Sequence, residues 1–345
     1  MKIAILGDCH FLVRNGSQIF NDYFEKFFDQ VFFPYLKANN INTIIGLGDL
    51  IDNRKNIDIR GLCECKRYFF DKLSEYNLEM YSLIGNHDIV YRNTLSVNSP
   101  SQIFKEYSNL KIIETPKSLE EFGIDFIPWI CKDNEAECFD IISNSKNNIC
   151  VGHFEIKNFS MYKGIECREG LDSKIFSKYE YVFSGHYHHK SNKDNIYYLG
   201  TPYELTWMDS EDPRGFHIFD LETRTLEFIE NPFKMFNKIY YANVDDFSDL
   251  KGYSNSYVKV FVDSIEEGFD EFLDHLNLVN PIKVSIIENA KTLLTEDDEI
   301  DESEDTLTIM NSYINNIKNK DIDNERLKIF MDQLYSEATA LESAR

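Results

Sequence analysis

Five short motifs place carboxylates, imidazoles and one carboxamide directly after apolar, β-rich runs. Carboxylate oxygens, imidazole nitrogens and an amide oxygen together suit Mn, Fe or Zn, and one shared carboxylate can bridge two ions about 3.5–4 Å apart. Six of the eight histidines lie in or directly beside these motifs, a concentration that is hard to attribute to packing. The motifs are Asp8–His10, Gly48–Asp52, Gly85–Asp88, Gly152–His153 and Gly185–His188.

The elements that must position these motifs alternate between short β-rich runs and amphipathic stretches, which predicts an α/β fold. In such a sheet the carboxyl ends of the strands line one edge, so the motifs can meet in a single crevice. Strands are predicted over Lys2–Leu6, Asn42–Leu47, Glu79–Ile84, Ile124–Ile127, Ile149–Val151 and Tyr181–Phe183, and helices over Ile19–Ala38, Gly61–Tyr76, Pro100–Tyr107 and Glu135–Ser145.

Taken singly, most of the motifs are weak signals of a site. An aspartate after a strand can be a turn residue, a GDxxD string arises by chance, and histidines two apart can lie on a solvated strand edge. GNHD is more specific, and the order and strand-end placement of all five motifs favour a shared site.

The second half of the chain changes pattern beyond about Asn195, to short strands joined by turns. A small unit follows, with a strand over Tyr257–Val262, a helix over Glu266–Leu276 and a strand over Lys283–Ile287. Eight of the ten residues in 296–305 are acidic, and such a block repels itself and stays solvated, which predicts a linker. The predicted divisions are 1–232, 233–290, 291–305 and 306–345.

Two apolar stripes at helical spacing follow the acidic linker. They could form a helical hairpin that folds back onto the body of the protein. They could also form a helix pair that binds a partner and is tethered by the linker. The stripe residues are Leu307, Met310, Ile314 and Ile317, then Leu327, Phe330 and Leu334.

The net charge of −23 excludes a generically basic nucleic-acid coat, although it leaves room for a local site that binds phosphate through metal ions. Seven cysteines form no CxxC pair, which is typical of reduced thiols in the cytosol. No apolar run approaches the roughly 18 residues of a membrane span. We therefore expect a cytoplasmic protein that is not membrane-bound.

The order DxH, GDxxD, GNHD, GH and GHxH resembles the signature of the calcineurin-like metallophosphoesterases. Ile127–Trp129, together with Tyr198–Pro202 and Asp212–Phe216, resembles the SbcD-type DNA-repair nucleases, and among them the recombination nuclease subunits of tailed bacteriophages. The resemblance covers nearly the whole chain and is least specific in the C-terminal helices. It implies two mixed sheets flanked by helices, a small α+β capping domain that helps present DNA, and a C-terminal helical hairpin.

The resemblance also implies a site for two divalent ions, typically Mn²⁺ with Mg²⁺ as the alternative. His87 would face the scissile phosphate and protonate the leaving oxygen, while Asp52 would orient His87. Water would attack directly, since nothing else in the sequence resembles a covalent nucleophile with its base. Asp8, His10, Asp49 and His188 would hold one ion, and Asp49 with Asn86, His153 and His186 would hold the other.

The activity implied is that of a DNA exonuclease and endonuclease subunit in end processing, recombination, replication and repair. It would act on double-stranded DNA ends in the host bacterial cytoplasm, as a homodimer within a heterotetramer that contains an SbcC-type coiled-coil ABC ATPase. An acidic surface predicts weak intrinsic affinity for DNA, so most affinity would come from that partner, docked on the C-terminal helices. Candidate contacts to DNA phosphates are Arg14, Arg54, Lys55, Arg60, Arg92 and Arg214.

The sequence is also compatible with two other functions. A phosphatase or small-molecule phosphodiesterase would share the metal core, although Asn53-Arg54 stands where protein phosphatases carry Arg-Gly. A non-catalytic scaffold for the ATPase is expected to have lost a ligand or the acid, whereas all seven presumed ligands and His87 are present.

Overall fold

A computed structural model of the chain describes residues 1–54, 56–162, 165–243, 250–263, 268–288, 314 and 323–342. These residues form two compact units. The first comprises Met1–Tyr203 and Pro213–Phe233, and the second comprises Glu204–Asp212 and the described residues from Lys234 on. The four divisions expected from the sequence stay predictions.

The first unit contains two six-stranded mixed sheets. One sheet has four parallel strands, three of which carry the first three motifs at their carboxyl ends, and two further strands extend the sheet through antiparallel pairing. Its strands, in spatial order, are β14 (Thr225–Glu230), β13 (Gly215–Asp220), β1 (Lys2–Leu6), β2 (Thr43–Gly46), β3 (Glu79–Leu83) and β4 (Leu110–Ile113).

The second sheet carries the last two motifs, after neighbouring parallel strands. Apolar side chains from both sheets, such as Ile5, Leu83 and Phe183, share one core cluster, as expected of sheets packed face to face. The predicted α/β class and the pair of mixed sheets are thereby confirmed. The spatial order is β11 (Ser191–Lys193), β12 (Ile196–Tyr198), β10 (Tyr181–Gly185), β7 (Ile149–His153), β6 (Ile124–Ile127) and β5 (Lys117–Leu119), with β8 (Ser160–Tyr162) and β9 (Ile165–Glu166) pairing apart.

The helices of the first unit flank these sheets, and two of them contain a π-helical turn. Phe28–Phe32 joins two α-helical pieces just before Pro34, and Lys66–Phe70 does the same in the second long helix. A proline lacks the N–H of a regular turn and clashes with the carbonyl four residues earlier, and a π turn relieves both problems, so the helix continues past Pro34. The helices are α1 (Val13–Gly16), α2 (Gln18–Phe27), α3 (Phe33–Ala38), α4 (Ile59–Cys65), α5 (Asp71–Glu75), α6 (Ser99–Ile103) and α7 (Glu135–Asn144).

The aromatic residues on these two helices lie in the core. Phe28, Phe32, Phe69 and Phe70 are fully buried and form a chain of ring contacts, and Phe24 is fully buried as well. These five side chains are therefore used for packing within the chain and offer no apolar surface to a second copy of the protein. The predicted homodimer stays untested.

The second unit is built around a three-stranded parallel sheet with one helix on it. No helix among the described residues combines the length and apolarity needed to cross a membrane. The elements are β15 (Phe236–Tyr240), β16 (Tyr257–Val262), α8 (Phe269–Leu278), β17 (Lys283–Glu288) and α9 (Asn324–Glu342), and short 3₁₀ turns in the two units span Ser173–Phe176, Trp207–Asp209, Tyr241–Asn243 and Lys251–Tyr253.

The stripes predicted to bind a partner are only partly described. Ile314 is buried, whereas Phe330 and Leu334 on α9 are 54% and 40% exposed. Leu327 lies on the same helix. The other predicted stripe residues, Leu307, Met310 and Ile317, lie outside the described residues, and the partner assignment remains a prediction.

Candidate metal centre

The first two motifs are joined to each other by backbone hydrogen bonds beyond the strand ends. His10 N–H donates to the carbonyl of Asp49 at 3.0 Å, and Phe11 N–H donates to that of Leu50 at 2.9 Å. Asp52 N–H returns a bond to the carbonyl of Phe11 at 3.0 Å. These hydrogen bonds hold the first motif against the second. They limit movement of both loops and so fix the positions from which the candidate ligands project.

Three residues of the motifs adopt left-handed backbone conformations. The φ angles are 44° at His10, 47° at Asp49 and 87° at His186. Such conformations are costly for residues other than glycine and persist where the surrounding structure imposes them, often at functional sites. Here each turn directs a candidate ligand inward at the end of a strand.

One group of donors comprises Asp8, His10 and His188, whose candidate ligand atoms all lie within 4.8 Å of one another. The Nε2 atoms of His10 and His188 are 3.0 Å apart. Asp8 Oδ1 is buried, and among the described residues it has no hydrogen-bond partner. A buried carboxylate oxygen left without a donor beside two facing imidazole nitrogens fits a cation.

A second group comprises Asp49, His153 and His186, again within 4.8 Å. His153 Nδ1 lies 2.8 Å from the carbonyl of Leu47 and therefore donates to it, so Nε2 presents a lone pair whenever a cation displaces its proton. That atom faces Asn86 Oδ1 at 2.9 Å and Asp49 Oδ2 at 3.3 Å. Three electron-rich atoms directed at one another again fit a cation.

The two groups meet at Asp49, which is buried. Its Oδ2 lies 3.3 Å from His153 Nε2 and 3.9 Å from His10 Nε2, one imidazole from each group. The structure therefore brings all seven predicted ligands together around one shared carboxylate. Their roles as ligands follow from the resemblance and are a proposal for this chain.

Electrostatics in the crevice also indicate a place for positive charge. Burial raises the pKa of Asp8 to about 7. Burial lowers the pKa of His10 and His153, but neighbouring carboxylates, Asp52 and Asp49 respectively, outweigh it and raise both to about 9. Burial lowers the pKa of His186 to about 3. Protons on two imidazoles thus balance the carboxylates, and divalent cations would replace these protons on binding.

His87 lies beside the donor groups and is partly exposed to solvent. Its backbone N–H donates to Asp49 Oδ1 at 2.8 Å, and its ring lies edge-on to that of His10. Its Nδ1 is 3.1 Å from the carbonyl of Asp52, an acceptor only, so Nδ1 carries the proton. Nε2 is then the atom available to a substrate.

The predicted role of Asp52 needs a correction. Its carboxylate was expected to orient His87, but Oδ1 instead lies 3.1 Å from His10 Nδ1. The hydrogen bond lowers the pKa of Asp52 against the opposing effect of burial. Asp52 therefore positions His10 through its side chain and His87 through its backbone carbonyl, because the loop after Asp49 turns the carboxylate towards the first motif.

Trp129 is a site residue that the motif analysis did not assign. Its ring centroid lies 5.2 Å from that of His186 and 5.8 Å from that of His153, and the side chain is 9% exposed. An indole packed against two candidate ligands restricts their ring orientations. Its place in the Ile-Pro-Trp string after a predicted strand was the only sequence signal.

Among the residues predicted to contact DNA phosphates, Arg214 is too deeply buried for that role. It is 5% exposed, and its guanidinium donates to the carbonyl of His188 and to Thr201 Oγ1. It supports the last motif from inside the protein and cannot reach DNA. Arg54 donates to the carbonyl of Asn86 at 2.9 Å while remaining partly exposed. Arg60 is exposed, Arg14 and Arg92 are partly exposed, and Lys55 lies outside the described residues.

Asp88 links the second and third motifs. Its fully buried carboxylate accepts hydrogen bonds from the N–H groups of Ile51 at 3.0 Å and Gly85 at 2.8 Å. Its carbonyl accepts from Ser99 N–H at 2.8 Å. Asp88 therefore supports the site by holding the backbone of two motifs in place.

Asp88→Asn should destabilise the fold and loosen the site. An asparagine has only one acceptor oxygen, so its amide group would face one of the two N–H donors and leave it unpaired. Leaving a buried donor unpaired costs about 1–3 kcal/mol. Urea unfolding measures the loss, and Asp133→Asn, at an exposed position, is the matched control. Unchanged stability would show that the two N–H groups find other acceptors.

Fold and site together define a class of protein. A model of the calcineurin-like phosphoesterases matches residues 1–190, and the chain belongs to that family. The predicted family and its metal-dependent phosphoesterase chemistry are therefore confirmed.

Three relatives differ in how much of the chain they match. The chain is 35% identical to exonuclease subunit 1 of Enterobacteria phage T4, over 98% of this chain and 100% of that protein. It is 24% identical to the SbcD subunit of nuclease SbcCD from Staphylococcus epidermidis, over 66% and 67%. It is 29% identical to a probable cyclic nucleotide phosphodiesterase of Xenorhabdus bovienii, over 44% and 61%.

Proposed function

We propose that this protein is a DNA nuclease that hydrolyses phosphodiester bonds at a centre for two divalent ions, with Mn²⁺ as the native metal. One observation carries the proposal: Asp49 Oδ2 lies 3.3 Å from His153 Nε2 and 3.9 Å from His10 Nε2, one imidazole from each donor group, and the partly exposed His87 lies beside them. The full-length likeness to a phage exonuclease subunit supports DNA as the substrate.

The residues of the chain divide the work. Asp8, His10, Asn86 and the other predicted ligands would hold the ions, which when bound activate water and neutralise charge on the phosphate. His87, whose Nδ1–H donates to the carbonyl of Asp52, directs Nε2 to the departing oxygen and, in its doubly protonated form, supplies the proton from Nε2 and is left as the neutral ring. Trp129 packs against the rings of His153 and His186 and restricts their orientations.

The substrate class is tested by comparing rates on linear duplex DNA, single-stranded DNA, bis-para-nitrophenyl phosphate and cyclic nucleotides. We expect DNA to be cleaved in Mn²⁺ and the small diester to be cleaved as well, since the metal centre contacts mainly the phosphate. Cyclic nucleotides are included because one relative is a probable cyclic nucleotide phosphodiesterase. Much faster cleavage of nucleotide esters than of DNA would replace the nuclease proposal with that activity.

We also propose a partner, a coiled-coil ABC ATPase of the SbcC type, and action at DNA ends in the cytoplasm of a bacterial host. The likeness to the SbcD component of an SbcCD nuclease supports the assignment. So does the charge of −23, which opposes unaided binding to a polyanion. Exposed Phe330 and Leu334 on α9 offer apolar surface for docking.

Deleting the residues after Asp305 should abolish association with the ATPase and leave metal binding intact, because the predicted ligands all precede residue 189. Co-purification of both chains and the metal content of the truncated chain measure these two effects. If the truncated chain still co-purifies with the ATPase, the docking assignment is wrong.

A further inference from the structure

Two residues outside the five motifs contact the candidate metal centre, each at a different donor group. Arg214 lies directly before β13, and Trp129 lies in the loop that follows β6. Both side chains are buried. Neither can bind a divalent cation, since a guanidinium and an indole N–H are hydrogen-bond donors only. Their contacts to the donor groups therefore serve another purpose.

Arg214 holds the backbone of His188, a member of the first donor group. Its guanidinium donates to the carbonyl of His188 and, at 2.8 Å, to Thr201 Oγ1. The N–H of Thr201 donates to the same carbonyl at 3.2 Å. Hydrogen bonds in which one partner is ionised are the stronger ones. The peptide that carries the His188 ring is thereby anchored by a charged side chain.

His186, two residues earlier in the same loop, is held by different partners. Its backbone N–H donates to Asp8 Oδ2 at 2.8 Å, and its Nδ1 lies 2.9 Å from Asn86 Oδ1. Its ring packs against that of Trp129. The two histidines of this motif are thus fixed separately, although only one residue lies between them.

Trp129 is itself anchored by the backbone where it packs on the second donor group. Its N–H donates to the carbonyl of Ile84 at 2.8 Å, and its carbonyl accepts from Asn134 Nδ2 at 3.0 Å. The two imidazoles against its indole, those of His153 and His186, both belong to the second group. Packing restricts the rotamers of these rings before an ion arrives, so less conformational entropy is lost on metal binding.

We propose that Arg214 and Trp129 are positioning residues, each of which sets the affinity for one of the two ions. Arg214 acts through His188 on the ion at the first donor group. Trp129 acts through His153 and His186 on the ion at the second. Replacing a residue that holds a metal ligand in place typically lowers metal affinity 10–100-fold. The proposal rests on the ligand set of the proposed function and is independent of DNA as the substrate.

The test measures Mn²⁺ affinity in two variants of the full chain that each keep one donor group. His186→Gln leaves the first group intact, and His188→Gln leaves the second. The electron paramagnetic resonance signal of free Mn²⁺ gives the unbound fraction, so no substrate is needed. Arg214→Met should weaken binding at least about tenfold in His186→Gln, and it should change binding by less than about twofold in His188→Gln.

Trp129→Leu should give the opposite pattern, because it removes the aromatic ring and keeps an apolar side chain. It should weaken binding about tenfold in His188→Gln and leave the affinity of His186→Gln unchanged. Trp129→Phe keeps a ring and should restore most of the lost affinity. A general loss of folding would weaken both sites in both variants and would not produce two opposite patterns.

Two matched controls should leave both affinities unchanged. Arg168→Met alters an exposed arginine, and Trp207→Leu removes the other tryptophan of the chain, which lies in the second unit. Melting temperatures report on folding. If Arg214→Met does not fold, Thr201→Val decides the outcome, because it removes a hydroxyl that accepts from Arg214 and should weaken the ion of the first group.

Two results would overturn the positioning roles. Equal losses in both single-group variants would mean that Arg214 and Trp129 stabilise the loops as a whole, and no loss in the matching variant would mean that the ligands need no outside support. The Mn²⁺ content of the unmodified chain tests the metal centre separately. Two bound ions without separate losses in the variants would refute the positioning roles alone, whereas no bound ion would refute the metal centre and the positioning roles together.

Discussion

His87→Ala should lower kcat on DNA by about 10²- to 10⁴-fold while both metal ions remain bound. The ring is not among the predicted ligands, and the backbone N–H that holds Asp49 survives the substitution. What is lost is the Nε2 proton, because Nδ1 is held on the carbonyl of Asp52. The measurement is single-turnover cleavage of duplex DNA, together with the metal content of the purified variant.

The leaving group distinguishes proton donation from a structural role of His87. A DNA sugar oxygen leaves poorly without a proton, whereas para-nitrophenolate leaves well, so the loss on bis-para-nitrophenyl phosphate should be about tenfold or less. His275→Ala, at an exposed histidine on α8, is the matched control and should change neither rate. An equal loss on both substrates would mean that His87 positions the phosphate instead of protonating the leaving oxygen.

Much of this site could be predicted from sequence because the information is local. Each motif follows directly on an apolar run, and the carboxyl ends of parallel strands share one edge. The predicted strand Lys2–Leu6 has the observed bounds, and Tyr181–Phe183 is two residues shorter than the observed strand. A candidate ligand that directly follows a predicted strand could therefore be placed at the shared edge of the sheet from the sequence alone.

The contacts that the sequence could not predict join residues far apart in the chain. Asp52 faces His10 rather than His87 because left-handed turns at His10 and Asp49 set the direction of the loop. Arg214 looked like a surface cation, yet it lies inside and supports His188, 26 residues earlier. No local pattern distinguishes a buried arginine that caps a carbonyl from an exposed arginine that meets a phosphate.

The boundary between the two units is another feature that the sequence could not predict. The segment Glu204–Asp212 lies between strands of the first unit in sequence but belongs to the second. Glu204 accepts hydrogen bonds from the N–H groups of Met235 and Phe236, at 2.7 and 2.8 Å, and Trp207 packs on Phe236. Such pairing depends on tertiary contacts, so turn and strand signals alone placed the boundary at a single point near residue 232.

Asp49→Asn should remove both ions and abolish activity, the largest effect expected of any single substitution here. Asp49 is the proposed bridging ligand, and its Oδ2 lies 3.9 Å from His10 Nε2 and 3.3 Å from His153 Nε2. Asparagine keeps the shape, tolerates the left-handed φ of 47° and can still accept from His87 N–H, so the backbone should be retained. What changes is the negative charge between the imidazoles of His10 and His153.

The size of this effect can be judged from residues that do not bind the metal themselves. Replacing a residue that hydrogen-bonds to a metal ligand typically lowers metal affinity 10–100-fold, so replacing a charged ligand of both ions should lower the affinity for each ion more than about a hundredfold. Elemental analysis of the purified variant counts the ions, and the electron paramagnetic resonance of added Mn²⁺ reports whether two ions are coupled.

His188→Gln, which alters only the group of Asp8 and His10, is the matched control and should lose one ion. Two Mn²⁺ ions retained in Asp49→Asn would show that each donor group binds metal without the Asp49 carboxylate, and Asp49 would then not be the essential bridging ligand.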